Sequence, residues 1–272
     1  MKVKGFFLVS IFLLLASQAF AGWVIEEVSG YPEGEEIRET IYFQKNKIKM
    51  VDSEQIMIFD LEKGMLYFLN PDREIYWGGT PEEFRKAMKE AMKLAMEEML
   101  EEMTPEQREA YKEFMEGVEE ETKEATAEKK IKVEVKKTSE KATVAGYSTQ
   151  KYQVWVDGEL KEELWISTEI NLKDEIDLKK FVQFIEALSG PGEEEFYESS
   201  PEYMGLMKQG YPLRSIEYDQ EEEQTVTEVA KVEKRQIPDS EFELPKSYRK
   251  VSIGEMWQEQ KLMEGQEDDY QE

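Results

Sequence analysis

The chain has 272 residues and a formal net charge of -26 at neutral pH, with 61 acidic and 35 basic side chains. A field of this sign repels nucleic acid and anionic membrane surfaces, so neither is an expected partner. The sequence contains no Cys and no His, which excludes disulfides and removes the commonest general base and metal ligand.

Residues 1–21 have the features of a secretory signal peptide. Lys2 and Lys4 precede an apolar run, which ends in the small-x-small pattern Ala19-Phe20-Ala21. We predict cleavage after Ala21 and export to the periplasm. The run is too short for a transmembrane anchor, and no later segment is long and apolar enough to span a bilayer. We therefore expect no transmembrane segment in the mature protein.

The first part of the exported chain is predicted to form a sheet. Six short strands are predicted between turn-forming residues, at residues 23–28, 38–44, 47–52, 55–61, 65–69 and 74–77, and polar and apolar residues alternate in the first three. The fourth and fifth strands are apolar on both faces, and such strands need cover on two sides. We expect a helix to supply one of these covers.

Two helices are predicted after this sheet, as an insert over residues 81–117. Thr80-Pro81-Glu82-Glu83 and Thr104-Pro105-Glu106-Gln107 each combine an N-cap, a proline at the first helical position, and Glu or Gln at the third. Apolar residues of the first helix recur at three- and four-residue steps, which places them on one face. We expect this face to lie on the sheet: Phe84, Met88, Ala91, Met92, Ala95, Met99 and Met103.

The second half of the chain returns to strands. Alternation predicts strands at residues 131–135, 143–146, 151–156 and 162–167, with a hairpin turn at Asp157-Gly158. An amphipathic helix follows around Phe181, and a shorter helix begins at Ser200-Pro201. Further predicted elements are a hairpin of residues 213–218 and 225–234, an edge strand at 242–245, and an acidic C-terminal helix or tail over 251–272.

Several short motifs occur in a fixed order through this half of the chain. They are Val144-Ala145-Gly146-Tyr147, Glu163-Leu164-Trp165-Ile166-Ser167, Gln209-Gly210-Tyr211-Pro212-Leu213-Arg214, Thr227-Glu228-Val229 and Ile237-Pro238-Asp239-Ser240-Glu241-Phe242-Glu243-Leu244-Pro245. Through these motifs, and through its Met- and Glu-rich insert, the chain resembles the bacterial exported family DUF4412, a domain of unknown function. The resemblance covers most of the mature chain.

This resemblance implies a distant likeness to the periplasmic lipoprotein carriers LolA and LolB. The fold it implies is α+β: a strongly curved antiparallel sheet, or half-barrel, whose apolar concave face is covered by the Met-rich insert and further helices and can hold acyl chains. One such domain is expected over residues 22–250. The family has no established activity, so it implies a function only by analogy. Thr149 stands where many relatives have Cys, which argues against a disulfide or redox role at that position.

No catalytic site is predicted. Without His and Cys, the remaining options are Ser/Lys pairs, paired carboxylates, or a metal held by carboxylates, and none occurs at a recognisable spacing. Adjacent acids such as Glu162-Glu163 are expected on solvated faces. We therefore predict that the protein is not an enzyme and has no catalytic residue, no cofactor and no metal site built from carboxylates.

The methionines of the insert have two possible uses. Methionine fills adaptable apolar surfaces, and its thioether is also a soft ligand for Cu(I) or Ag(I). The predicted function is a non-catalytic periplasmic carrier or holding protein for an acyl chain, a lipoprotein or another apolar ligand. Its alternatives are soft-metal binding through the Met-rich helix and a structural or assembly module of the cell envelope. The candidate apolar ligand-binding residues are Met88, Met92, Met96, Met99, Phe59, Phe68, Trp77 and Trp165.

Overall fold

The structure is a computed structural model, and it describes residues 21–31, 34, 36–109, 111, 131–189, 197–218 and 224–256. Within these ranges no helix is long and apolar enough to cross a membrane. Residues 1–20 of the predicted signal peptide, the end of the predicted insert after residue 111, and the predicted tail beyond residue 256 lie outside the described residues.

The first six strands form an antiparallel meander in which each strand pairs with the next. They are β1 (Ala21–Gly30), β2 (Ile37–Gln44), β3 (Lys47–Val51), β4 (Ile56–Asp60), β5 (Met65–Asn70) and β6 (Ile75–Gly79). All six strands predicted in this region are confirmed. The connections between these strands are short, so local alternation and turn residues are enough to specify the strands.

Five further strands form a second antiparallel meander: β7 (Val133–Val144), β8 (Tyr147–Val156), β9 (Glu159–Ser167), β10 (Tyr211–Tyr218) and β11 (Gln224–Gln236). The turn at Asp157-Gly158 is confirmed, since both residues have positive φ, 51° and 92°. The two strands predicted at 131–135 and 143–146 are one strand, β7. Its pairing shifts between Lys137 and Lys141, and this irregularity breaks the alternation in the sequence.

A single open sheet of twelve strands results, because β1 pairs with β2 on one side and with β11 on the other. Its strand order is β12-β6-β5-β4-β3-β2-β1-β11-β10-β9-β8-β7, where β12 (Arg249–Lys250) runs parallel to β6. Strands β7 and β11 have Cα atoms within 8 Å of each other although three strands separate them. Four strand spacings in a flat sheet would be about 19 Å. The sheet is therefore strongly curved.

Among the described residues, the helices that pack on this sheet include α1 (Pro81–Glu102), α2 (Leu178–Ser189) and α3 (Pro201–Met207). Helices α1 and α2 pack against each other and belong to one large apolar cluster with residues of both meanders, whereas α3 contacts β7. Residues 105–109 begin a further helix, in which Thr104 and Gln107 form the predicted capping box. The predicted α+β fold, a curved antiparallel sheet with helices on its apolar face, is confirmed.

Both main apolar clusters lie on one face of the sheet. Directly opposed residues in neighbouring strands share a face, and pairing connects Leu164 to Ser215, Thr227 and Ser29 in one row. By alternation along β2, this is the face of Ile41, which belongs to the large cluster under α1 and α2. Leu164 belongs to a second cluster, which α3 covers. We call this the inner face.

The predicted edge strand at residues 242–245 is wrong. Residues Asp239–Phe242 form a 3-10 helix instead, and Arg249–Lys250 takes the edge of the sheet. Phe242 packs with Val24 and Ile237 in a third cluster, on the outer face. Burial of this side chain, rather than strand pairing, fixes the segment.

Candidate functional site

The start of α1 is fixed by a capping box directly after β6. The Oγ1 atom of Thr80 accepts a hydrogen bond from the Glu83 N–H at 3.2 Å, and Glu83 Oε2 accepts one from the Thr80 N–H at 2.7 Å. Pro81 occupies the first helical position. Hydrogen bonds to the Glu83 carboxyl group, from the Thr80 backbone N–H above all and then from the Thr80 side chain, lower its pKa. The predicted N-cap is confirmed, and it sets where the helix leaves the sheet.

Three aromatic rings join α1 to the edge of the sheet. Phe68 and Trp77 are opposite each other on β5 and β6, and the Phe84 ring of α1 lies 5.4 Å from the first and 5.5 Å from the second, between ring centroids. The ring of Tyr67 lies over Gly78, so a side chain at that position would collide with it. The first turn of the helix is thus held by aromatic packing.

Only the first half of α1 lies on the sheet. Phe84 and Met88 pack against the core, and Ala91 is 8% exposed. Further along the helix, Met92, Met96 and Met99 are 61%, 38% and 38% exposed. Twenty-two residues make a helix about 33 Å long, so α1 extends past its contact with the core. The predicted docking of the apolar stripe is therefore confirmed for Phe84, Met88 and Ala91 and wrong for Met92, Ala95 and Met99, which are exposed.

A pocket of about 180 Å³ opens where α1, the end of β5 and the C-terminal segment meet. Phe68 and Phe84 form part of its apolar wall, and Ile253 and Met256 form another part. The complete lining is Glu54, Gln55, Phe68, Leu69, Asn70, Phe84, Ile253 and Met256. Sequence reasoning missed Ile253 and Met256, although their three-residue spacing inside a polar tail was a signal of one buried helical face.

The predicted ligand-binding residues do not all meet at this pocket. Phe68 lines it and Trp77 touches Phe68, whereas Phe59 packs edge-on against Phe184 of α2 at 5.9 Å. Trp165 lies apart from them on the outer face, because it alternates with the inward Leu164 along β9. Its ring is covered by Lys151 Nζ at 4.6 Å and by Arg214, so it lines no inner cavity.

The centre of the inner face is polar. Glu27 and Glu39 are directly opposite each other on β1 and β2, and the Tyr211 hydroxyl donates a hydrogen bond to Glu27 Oε1 at 2.7 Å. Burial, with the charges of Glu27 and Asp52, raises the pKa of Glu39 to about 7. Burial also raises the pKa of Glu27. Tyr211 also packs against the large apolar cluster, so this polar pair borders that cluster.

The acids of the described residues form no group of three or more that could hold a metal ion. The expectation that Glu162 and Glu163 lie on solvated faces is wrong, because they are 4% and 7% exposed. The alternation of side chains along β9 already indicated that Glu162 is buried, because Glu162 shares a face with Leu164 and Ile166. Glu163 pairs with Lys151 at 2.9 Å on the outer face.

One protein family matches most of this chain. The sequence pattern described as "Domain of unknown function (DUF4412)" matches residues 77–248. The chain belongs to this family. The DUF4412 match covers α1, α2, α3 and the second meander, and it confirms the resemblance drawn from the motifs. No protein of curated function matches the chain.

Solved structures similar to this DUF4412 protein are distant in sequence. PNGF-II is 11% identical with a TM-score of 0.37, and the match covers 85% of this chain and 30% of that one. The Pseudomonas aeruginosa MucA/MucB complex contains a chain 7% identical with a TM-score of 0.39, covering 87% and 60%. A LolA-superfamily protein from Nitrosomonas europaea is 10% identical with a TM-score of 0.29, covering 83% and 90%. This chain thus spans less than a third of PNGF-II.

Proposed function

We propose that this protein is a non-catalytic, exported carrier or holding protein for an acyl chain, a lipoprotein or another apolar ligand. The ligand would enter at the pocket between Phe68, Phe84 and Met256 and would lie between α1 and the inner face. The observation that carries this proposal is the pocket itself, which is walled by apolar side chains from three separate elements. Concave apolar sites with a few polar groups at the rim are typical of ligand binding.

Occupation of this site requires α1 to move. Typical small-molecule sites have volumes of roughly 300 to 1,000 Å³, and this pocket has about 180 Å³. Large rings already fill the adjoining space, since Phe68, Trp77 and Phe84 are in mutual contact. We therefore interpret this arrangement as a closed state, in which the start of α1 lies where the ligand would bind.

The energies of the two states allow such an exchange. Displacing Phe84, Met88 and Ala91 from the core costs on the order of 5 kcal/mol, since a fully buried large side chain contributes about 1.5 to 3 kcal/mol and two of these are partly buried. Burying an acyl chain of about twelve methylenes contributes on the order of 10 kcal/mol at about 0.8 per methylene. A long chain can therefore displace the helix, and a short one cannot.

The polar centre sets the far limit of the site. An acyl chain that reached Glu27 and Glu39 would bury their carboxyl groups against hydrocarbon, which is costly for groups that can ionise. We therefore place the ligand on β3 to β6, under α1, rather than across the whole inner face.

The test is uptake of a fluorescent fatty acid, 11-(dansylamino)undecanoic acid, by the delipidated full chain. We expect a blue-shifted, saturable emission that Met256→Lys abolishes, because this change puts a charge into the pocket. Leu94→Lys is the matched control, since Leu94 is 63% exposed on the second half of α1. Equal uptake by both variants, or no uptake by the native sequence, would refute the proposal. Native mass spectrometry of protein isolated from its own source would then show whether lipid, metal or a protein partner is bound.

The exposed methionines favour soft-metal binding as a second candidate. Met92, Met96 and Met99 are spaced by four and three residues, so their thioethers lie on one exposed helix face. The chain has no Cys and no His, so tight uptake of Ag(I) would report thioether ligands. We expect Ag(I) binding in calorimetry to disappear when all three become Leu, whereas fatty-acid uptake survives. Unchanged Ag(I) binding by the triple variant would exclude this candidate.

A further inference from the structure

A short segment covers the second apolar cluster of the inner face. It consists of a 3-10 helix, Tyr197–Ser199, and α3, and it places Tyr197, Tyr203 and Leu206 against the strands. The strand residues below it include Tyr152 and Leu164. We call residues 197–207 the cover. Helix α3 has only seven residues, so its position depends on these contacts rather than on its own stability.

A buried carboxyl group lies beneath the cover. Glu162 of β9 is 4% exposed, and its Oε2 atom is buried without a hydrogen-bond partner among the described residues. The hydroxyl of Tyr203, from the cover, forms a hydrogen bond with the same carboxyl group. Glu198 of the cover also has a buried Oε2 without a partner among the described residues.

The groups around Glu162 are acidic or neutral. Glu217 of β10 is directly opposite it, and Val154 of β8 is its other cross-strand neighbour. The cover contributes Glu198 and the phenols of Tyr197 and Tyr203. Burial, together with the charges of Glu217 and Glu198, raises the pKa of Glu162 to about 8, although the hydrogen bond with Tyr203 lowers it. The carboxyl group is therefore protonated at neutral pH while the cover is closed.

We propose that Glu162 is a proton-operated latch: its protonated form lets the cover close over the second apolar cluster, and loss of the proton releases the cover. With the cover open, water reaches the carboxyl group, and it ionises as an ordinary glutamate does. As the pH rises from the pKa of Glu162 in the open form to its pKa in the closed form, each pH unit therefore shifts the equilibrium further toward the open form. The latch is independent of α1 and of the ligand proposed above, because the cover packs in the second apolar cluster, whereas α1 packs in the large one.

Hydrogen exchange of the full chain tests the latch. Amide exchange in residues 197–207, divided by the intrinsic rate at each pH, gives the opening constant of the cover. We expect this constant to rise by up to about tenfold per pH unit from pH 5 to pH 8 and to level off above pH 8. In Glu162→Gln the rise should be much smaller, because only the raised pKa of Glu217 beside it then couples opening to pH. Glu202→Gln, which removes an exposed charge from α3, should behave like the native sequence.

Three results would overturn the proposal. One is an opening constant that does not change from pH 5 to pH 8 in the native sequence, and another is the same rise in Glu162→Gln. The third is a parallel rise in the amides of α1, which would indicate global unfolding. If Glu162→Gln does not fold, the titration of Glu162 in the native protein, followed by carboxyl ¹³C shifts, decides the question. A midpoint near the ordinary glutamate value would then refute the latch.

Discussion

Replacing Phe84 with alanine tests how α1 is held on the sheet. The Phe84 ring contacts Phe68 and Trp77, at 5.4 and 5.5 Å between centroids, and it is partly exposed. A fully buried Phe to Ala change costs roughly 3 to 5 kcal/mol, and each aromatic pair contributes roughly 0.5 to 1.5 kcal/mol within that total. Because the ring is partly exposed, we expect Phe84→Ala to lower the free energy of unfolding by about 3 kcal/mol.

Urea unfolding followed by tryptophan fluorescence measures this loss, and hydrogen exchange of the α1 amides locates it. Met92→Ala is the matched control on the same helix, since Met92 is 61% exposed and should change stability by less than about 0.5 kcal/mol. A loss below about 1 kcal/mol in Phe84→Ala, or equal losses in the two variants, would show that the ring does not anchor the helix. The closed state assumed for the carrier would then have no physical basis.

Other substitutions test neighbouring parts of the structure. Thr80→Ala removes the cap of α1, so we expect a loss of about 1 kcal/mol in thermal unfolding and faster uptake of the fluorescent fatty acid. Asn46, with φ of 59°, donates its N–H to the Glu175 carbonyl and accepts from the Asp177 N–H. We therefore expect Asn46→Ala to lower the free energy of unfolding, measured in urea, by about 2 to 3 kcal/mol. Asn46→Gly should lower it less, because glycine readily adopts the positive φ. The raised pKa of Glu39 means that the folded protein binds its proton between the ordinary value of 4.5 and about 7, so stability falls as pH rises through this window. In urea unfolding, Glu39→Gln should raise the free energy of unfolding above that of the native sequence by on the order of 2 kcal/mol at pH 8 and should leave it unchanged at pH 4.

Local signals in the sequence predicted most of the individual elements. The Thr80 capping box, the turn at Asp157-Gly158, and the six strands of the first meander each depend on residues within a few positions of one another. Such short-range signals need no knowledge of the rest of the chain, because caps and turns satisfy backbone groups locally. Where alternation was interrupted, as at the pairing shift in β7, the sequence predicted two strands instead of one.

The candidate site was predicted less well, because it depends on contacts between distant parts of the chain. The stripe on α1 is continuous in sequence, yet only its first half is buried. The sequence could not predict this, because it does not show where the helix extends past the core. Ile253 and Met256 reach the pocket from the far end of the chain. Trp165 was an equally apolar candidate, but the alternation of side chains along β9 places it on the outer face.

The sequence by itself determined the acidic charge, the absence of Cys and His, the family, and the start of α1, because each of these depends on composition or on short runs of residues. Only the tertiary structure decided that β1 pairs with β11, that the thioethers of Met92, Met96 and Met99 are exposed, and that Glu162 is buried beside Glu217. The physical reason is that burial and strand pairing are properties of the folded chain as a whole. A methionine or a glutamate has the same chemistry in either place, and its neighbours decide whether water reaches it.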